Sequence, residues 1–161
     1  MKSRINFFTV PILLTLFRCA TIVGGSNYTA DVIVKDHPSA VITYKDQVKG
    51  SGVAFFKAKR SEANKFSVTV KEDGCKEQTI NFTTRSFRGG AFVGTVIGWT
   101  GLISGIPIPW GVALDLATGA LWKPNEKEPG IMKVDYKHYV YTINYTGCSA
   151  RDSIANALPI K

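Results

Sequence analysis

Gly89 to Trp122 reads GGAFVGTVIGWTGLISGIPIPWGVALDLATGALW, flanked by Arg88 and Lys123, with Asp115 as the one charge inside it. Gly90, Gly94, Gly98, Gly101 and Gly105 are spaced 4, 4, 3 and 4. On an α-helix that spacing puts all five on one stripe, because residues three and four apart share a face. Each glycine costs a water-exposed helix about 1 kcal/mol against alanine, so the stripe predicts helix packing against a close partner, as in small-xxx-small contacts. Pro107 and Pro109 divide the insert into arms of about 18 and 13 residues, and Ala113, Ala117 and Ala120 continue a small-residue face. The expectation is a helical hairpin over 88–123. The first arm is barely long enough to span a bilayer and the second is not, and Asp115 would cost ~2.5–3.5 kcal/mol at a bilayer centre. Packing on a β sheet or shallow insertion in a membrane both remain open.

The chain before the insert reads as short strands separated by turns. Ala30, Val32 and Val34 alternate with polar residues, and Asp36-His37-Pro38-Ser39 is a turn. Ala40 to Lys45 forms the next strand, and Asp46 to Gly52 is expected to be a loop. Val53 to Ala58 is apolar on both faces, which predicts a central strand. Phe66, Val68 and Val70 give the clearest alternation, and Glu72-Asp73-Gly74 turns into a strand between Cys75 and Thr84. After the insert, 123–130 is a loop, and then Met132, Val134 and Tyr136 alternate. Past His138 the phase changes, so that Tyr139, Tyr141, Ile143 and Tyr145 share a face. Such a slip predicts a bulge or a strand break, and the tyrosine row reads as a core face or as a stacking platform for sugar. The fold class is therefore α+β, mainly β: a small antiparallel β-sandwich or meander carrying the helical hairpin. Arg151 to Lys161 is a weakly helical tail.

At the N-terminus, Lys2 and Arg4 precede the apolar run Ile5–Phe17, which has the length of a signal-peptide core rather than of a spanning helix. Cys19-Ala-Thr-Ile-Val-Gly-Gly-Ser26 follows. This segment resembles the mature start of bacterial lipoproteins with a PEGA-like β-domain, where the cysteine carries acyl chains such as palmitate. Leu16, three residues before Cys19, fits the usual box, whereas Phe17 and Arg18 stand where small residues are usual. Pro38-Ser39-Ala40, Gly52-Val53 and Gly74-Cys75 occupy the PEGA-like landmarks by order and spacing, and Asp115-x-x-Thr118-Gly119-Ala120 resembles the end of that family's glycine-rich segment. By its residues alone this last motif reads as a helix end capped by Gly119, with Asp115 bonded to nearby backbone or to Thr118. The resemblance implies residues 1–18 as signal peptide, 19–26 as a lipid-anchored tether, 27–87 as the β domain, 124–146 as returning strands and 147–161 as tail.

Three cysteines are an odd number for an exported chain. With Cys19 as the lipid attachment site, Cys75 and Cys148 remain, either as a disulfide pair in an oxidising envelope or as two free thiols. The net charge is +8, of which Lys2, Arg4 and Arg18 lie in the leader, leaving a scattered +5. Scattered charge without interleaved aromatics argues against a nucleic-acid partner and for attraction to an anionic surface. His37 and His138 have no neighbouring cysteine or histidine at metal-ligand spacing, and no nucleophile elbow or phosphate loop is present, so neither catalytic residues, metal nor cofactor is expected. The N-x-T matches at Asn27, Asn81 and Asn144 are discounted as chance. Two functional readings result. One is a non-enzymatic lipoprotein of the bacterial cell envelope, membrane-anchored, whose β domain binds an envelope protein or glycan; the other is a membrane-active protein whose hairpin inserts or self-associates.

Overall fold

The structure is a computed structural model that describes residues 24–98, 101–103, 106–108 and 110–148, with the backbone alone described between 98 and 108. The leader, Cys19, Gly105 and the tail from 149 lie outside the described residues.

Alternation builds the strands. In β1 (Asn27–Lys35) Tyr28, Ala30, Val32 and Val34 are buried, while the intervening residues lean toward solvent. The following strands are β2 (Val41–Tyr44), β3 (Gln47–Ser51), β4 (Val53–Lys59), β5 (Phe66–Lys71), β6 (Gln78–Phe82) and β7 (Arg85–Phe87). A 3-10 helix, Arg60–Lys65, links β4 to β5. Helix α1 (Gly89–Gly98), strands β8 (Gly101–Ile103) and β9 (Ile106–Ile108) and helix α2 (Trp110–Thr118) make up the insert. β10 (Trp122–Pro124), β11 (Ile131–Lys133) and β12 (His138–Asn144) complete the described chain.

Eight strands form one sheet in the order β11-β12-β1-β4-β3-β2-β5-β6. In a flat sheet β12 and β5 would lie about 24 Å apart, at ~4.8 Å per strand. Yet Tyr141 of β12 stacks on Phe66 of β5 with ring centroids 4.2 Å apart. The sheet therefore folds over on itself, and its two halves enclose an aromatic core of Tyr28, Tyr44, Phe56, Phe66, Phe82, Tyr139 and Tyr141. The meeting edges are joined at both ends. Glu128 accepts the backbone N–H groups of Thr83 (3.0 Å) and Thr84 (3.1 Å) at one end. At the other, Lys76 N–H donates to the Gly147 carbonyl (3.1 Å), and Cys75 and Cys148 form a disulfide.

Several expectations are corrected. Asp46–Gly52 is mostly strand β3, because Lys45 and Asp46 both take positive φ (51° and 60°) and make a two-residue hairpin turn. The sheet is not wholly antiparallel, since β1 pairs in parallel with β12 from Thr29↔His138 to Lys35↔Asn144. The long excursion through the insert supplies the crossover that a parallel pair requires. The phase slip at His138 is a strand break: Asp135 accepts the N–H groups of Lys137 (2.5 Å) and His138 (2.9 Å) in the turn between β11 and β12. Beyond it Tyr139, Tyr141, Ile143 and Tyr145 are buried, so the tyrosine row is core and offers no face to a sugar.

Candidate functional site

The insert rises from a small base in which β7 pairs with β10, Phe87 opposite Trp122. Its helices are shorter than the prolines alone imply, at 10 and 9 residues, because the ladder β8–β9 occupies the middle of the stretch. Gly101 is therefore in a strand, and the five-glycine stripe does not exist on one helix. Gly98 is the last residue of α1, and a Cβ added at Gly90 or Gly94 would meet nothing within 4 Å. The glycines leave backbone open where close packing was expected. No described helix is long and apolar enough to cross a membrane.

The other end of the insert is a helix stop. Gly119 takes φ 73°, its N–H reaches the Leu116 carbonyl (3.2 Å), and Ala120 N–H reaches the Asp115 carbonyl (2.9 Å). This paired bonding satisfies the last carbonyls of α2 through a left-handed residue that favours glycine. A side chain at 119 would also strike Ser61, whose Cβ would lie 2.5 Å away, so the cap packs the insert onto the 3-10 helix. Arg88 clamps the same corner, donating from its side chain to the Ala120 carbonyl (2.6 Å) and from its N–H to Leu121 (2.8 Å).

Polarity in the helix pair is inverted relative to a helix pair made for water. Thr95 of α1 and Asp115 of α2 are both fully buried, and the Thr95 hydroxyl donates to Asp115 Oδ2 at 2.5 Å. The outside carries Val93, Ile97 (79% exposed), Trp110, Leu114 and Leu116. Helices of soluble domains place apolar side chains inward and charges outward. Here the one charge of the insert lies between the helices while large apolar groups face out. At the foot of the pair, Phe87 and Tyr136 are exposed, and the Arg85 guanidinium lies 3.9 Å from the centre of the Trp122 ring. A cleft of about 240 Å³ opens there between Phe87, Arg88, Gly90, Lys123, Lys133 and Tyr136. Aromatic and basic residues thus ring the base of an apolar projection.

A second constellation was not legible from spacing. His37, in the turn after β1, bonds through Nδ1 to Glu72 Oε2 at 2.6 Å, and the Ser39 hydroxyl donates to Glu72 Oε1. Hydrogen bonds from Ser39 and then His37 hold the Glu72 carboxyl below its ordinary pKa. Glu72 opens a turn that Cys75 closes, with Cys75 N–H donating to the Glu72 carbonyl at 3.0 Å. The disulfide then brings in Cys148, whose Sγ lies 3.2 Å from Glu72 Oε2 and 3.9 Å from His37 Nδ1. The sulfur carries no proton in the disulfide, so it cannot donate to Glu72, and that contact is packing rather than a hydrogen bond.

Comparison with known proteins yields no relative: no family model, curated protein or solved structure matches the chain.

Proposed function

We propose that this is a non-enzymatic protein of the bacterial cell envelope, held at a membrane through lipid on Cys19, with the β domain as its interaction module and the α1–α2 projection seated in the adjacent leaflet. The inverted polarity of the helix pair carries the second part. Transferring the outward faces of Val93, Ile97, Trp110, Leu114 and Leu116 from water to an apolar phase contributes on the order of 5 kcal/mol. Asp115 opposes this less than an exposed carboxylate would, because it is buried between the helices with the Thr95 hydroxyl as partner. A 10-residue helix is about 15 Å long, half of a ~30 Å hydrocarbon core, so the projection fits one leaflet. Phe87, Tyr136, Arg88 and Lys123 at its base match the aromatic and basic groups favoured at headgroup level.

The Cys75–Cys148 disulfide supports an oxidising compartment, as an exported chain requires. An interaction role for the β domain is supported by an apolar strip on its outer face, where Ile33 pairs across strands with Val53, and Phe55 on the same strand is 69% exposed.

Flotation of residues 19–161 carrying Cys19→Ala, with vesicles of phosphatidylethanolamine and phosphatidylglycerol, separates the hairpin from the leader and the anchor. The chain is expected to float with the vesicles, and Ile97→Glu with Leu116→Glu to lower the bound fraction about tenfold or more. A Cys19→Ala chain that stays with the soluble fraction overturns membrane seating of the hairpin. Metabolic labelling with a fatty acid tests the anchor separately, since only the parent chain should take up label, and an unlabelled parent removes Cys19 from the account.

A further inference from the structure

The disulfide has polar neighbours that a purely structural bridge does not need. His37 Nδ1, Glu72 Oε2 and Cys148 Sγ are separated by 2.6, 3.2 and 3.9 Å, and Cys75 Sγ is bonded to Cys148 Sγ. Three donor atoms of types that bind zinc therefore meet at one partly exposed spot, and the S–S bond brings a fourth, Cys75 Sγ, beside them. A tetrahedral site with metal–ligand distances of ~2.0–2.3 Å has ligand–ligand edges of about 3.3–3.8 Å. The observed separations bracket that range before any metal arrives. The groups around the spot also resemble the outer support that metal ligands commonly have. Ser39 bonds the second oxygen of Glu72, and Tyr145 contacts the His37 ring edge-on with centroids 5.0 Å apart. Tyr145 is itself fixed by donating to the Lys76 carbonyl at 2.6 Å.

With the disulfide formed, neither sulfur can ligate as thiolate. Reduction by a dithiol breaks the S–S bond: the dithiol gives up two electrons and two protons, becomes a disulfide, and leaves Cys75 and Cys148 as thiols. A redox-active cysteine pair would then need a readily formed thiolate, but a carboxylate 3.2 Å from Cys148 Sγ opposes that negative charge. A divalent cation reverses the balance, because it attracts thiolate and carboxylate alike. We propose that reduction of Cys75–Cys148 converts this spot into a zinc-type site with Cys75, Cys148, His37 and Glu72 as ligands, so that disulfide and metal are alternative staples between the same two edges of the sheet. Each thiol releases its proton to solvent as it binds, and the bound metal shields both sulfurs from reoxidation.

Cobalt(II) is the probe, added without oxygen to the full chain reduced by a trialkylphosphine. One equivalent should give sulfur-to-cobalt charge-transfer absorption and strong tetrahedral d–d bands, both removed by zinc and both absent from the disulfide form. His37→Ala and Glu72→Gln should each weaken binding about tenfold or more, and Cys75→Ser with Cys148→Ser should abolish the sulfur bands. If the reduced chain loses its far-ultraviolet dichroism, cobalt should restore it, since binding free energy then becomes folding free energy. Absence of the sulfur bands from the reduced chain, folded or not, overturns the proposal. So does unchanged affinity in both the His37 and Glu72 variants.

Discussion

At the scale of single residues, the decisive polar contact of the core is between two tyrosines. Tyr28 and Tyr141 are 1% and 0% exposed, and their hydroxyls lie 2.8 Å apart. Removing one hydroxyl leaves the other buried with a partner lost, whereas removing both leaves two rings of unchanged shape. Tyr28→Phe or Tyr141→Phe alone is therefore expected to cost about 1–3 kcal/mol, and the double variant less than the sum of the two. Urea midpoints of the three variants check this; strict additivity would contradict it. The same pair sets an alkaline limit. Burial pushes both hydroxyls above the ordinary tyrosine value of 10.0. A raised folded-state pKa means that the unfolded chain loses protons first, so the contribution is complete below pH ~10 and is lost as pH rises above it. Stability should fall between about pH 10 and 12, and the double phenylalanine variant should show a shallower fall. The residue scale also marks where reading stops. The alternation of Tyr28, Ala30, Val32 and Val34 announces a buried face, but nothing in Lys45-Asp46 announces a turn with two positive φ values, since glycine and asparagine are the usual occupants.

At the scale of elements, the insert was legible as apolar, glycine-rich and broken by prolines, and Gly119 as the stop of its second helix. Its helix lengths were not legible. Gly101-Leu-Ile103 and Ile106-Pro-Ile108 continue the hydrophobic run without a change of composition, so periodicity cannot distinguish a ladder from a helix there. The glycine spacing misled for a related reason: it describes a stripe only if one helix runs through all five positions. What organises the pair instead is the bond between Thr95 and Asp115, 20 residues apart. Asp115→Ala should lower the opening free energy of the helix pair by about 1–3 kcal/mol, which speeds amide exchange in α1 and α2 roughly 5- to 160-fold. Exchange in the core strands β1 and β5 should stay unchanged, and equal acceleration there would contradict a separately opening projection. The His37–Glu72–Cys148 cluster was not legible from spacing, although its parts were in view as a turn and a possible cysteine pair. The turn from Glu72 to Cys75 places those two side by side, so pairing Cys75 with Cys148 also brings Glu72 to Cys148, but His37 arrives only through the folded sheet.

At the scale of the molecule, one curled sheet is closed by contacts between residues far apart in sequence. The disulfide spans a sequence separation of 73 and joins the turn before β6 to the segment after β12. In the chain-entropy view a loop of that size stabilises by about 4 kcal/mol, with measured bridges at 2–5 kcal/mol. Cys75→Ser with Cys148→Ser should lower unfolding free energy within that range in metal-free buffer; a loss below about 1 kcal/mol would mean that the Glu128 and Lys76–Gly147 contacts close the sheet unaided. The β domain buries its aromatic core, whereas the helix pair of the projection carries Val93, Ile97, Trp110, Leu114 and Leu116 outward. Trp110 opens α2 and Trp122 stands in β10 at the foot of the projection, and the third tryptophan, Trp99, falls within the same stretch of sequence, so tryptophan fluorescence reports on the insert. The most direct test of the account is therefore quenching of that fluorescence by lipids brominated along their acyl chains, measured on residues 19–161 carrying Cys19→Ala and mixed with phosphatidylglycerol-containing vesicles. Seating of the helix pair in the leaflet should give a blue shift, strong quenching by bromine in the upper half of the leaflet and protection from aqueous iodide. An unshifted spectrum, untouched by brominated lipid and fully open to iodide, would contradict it.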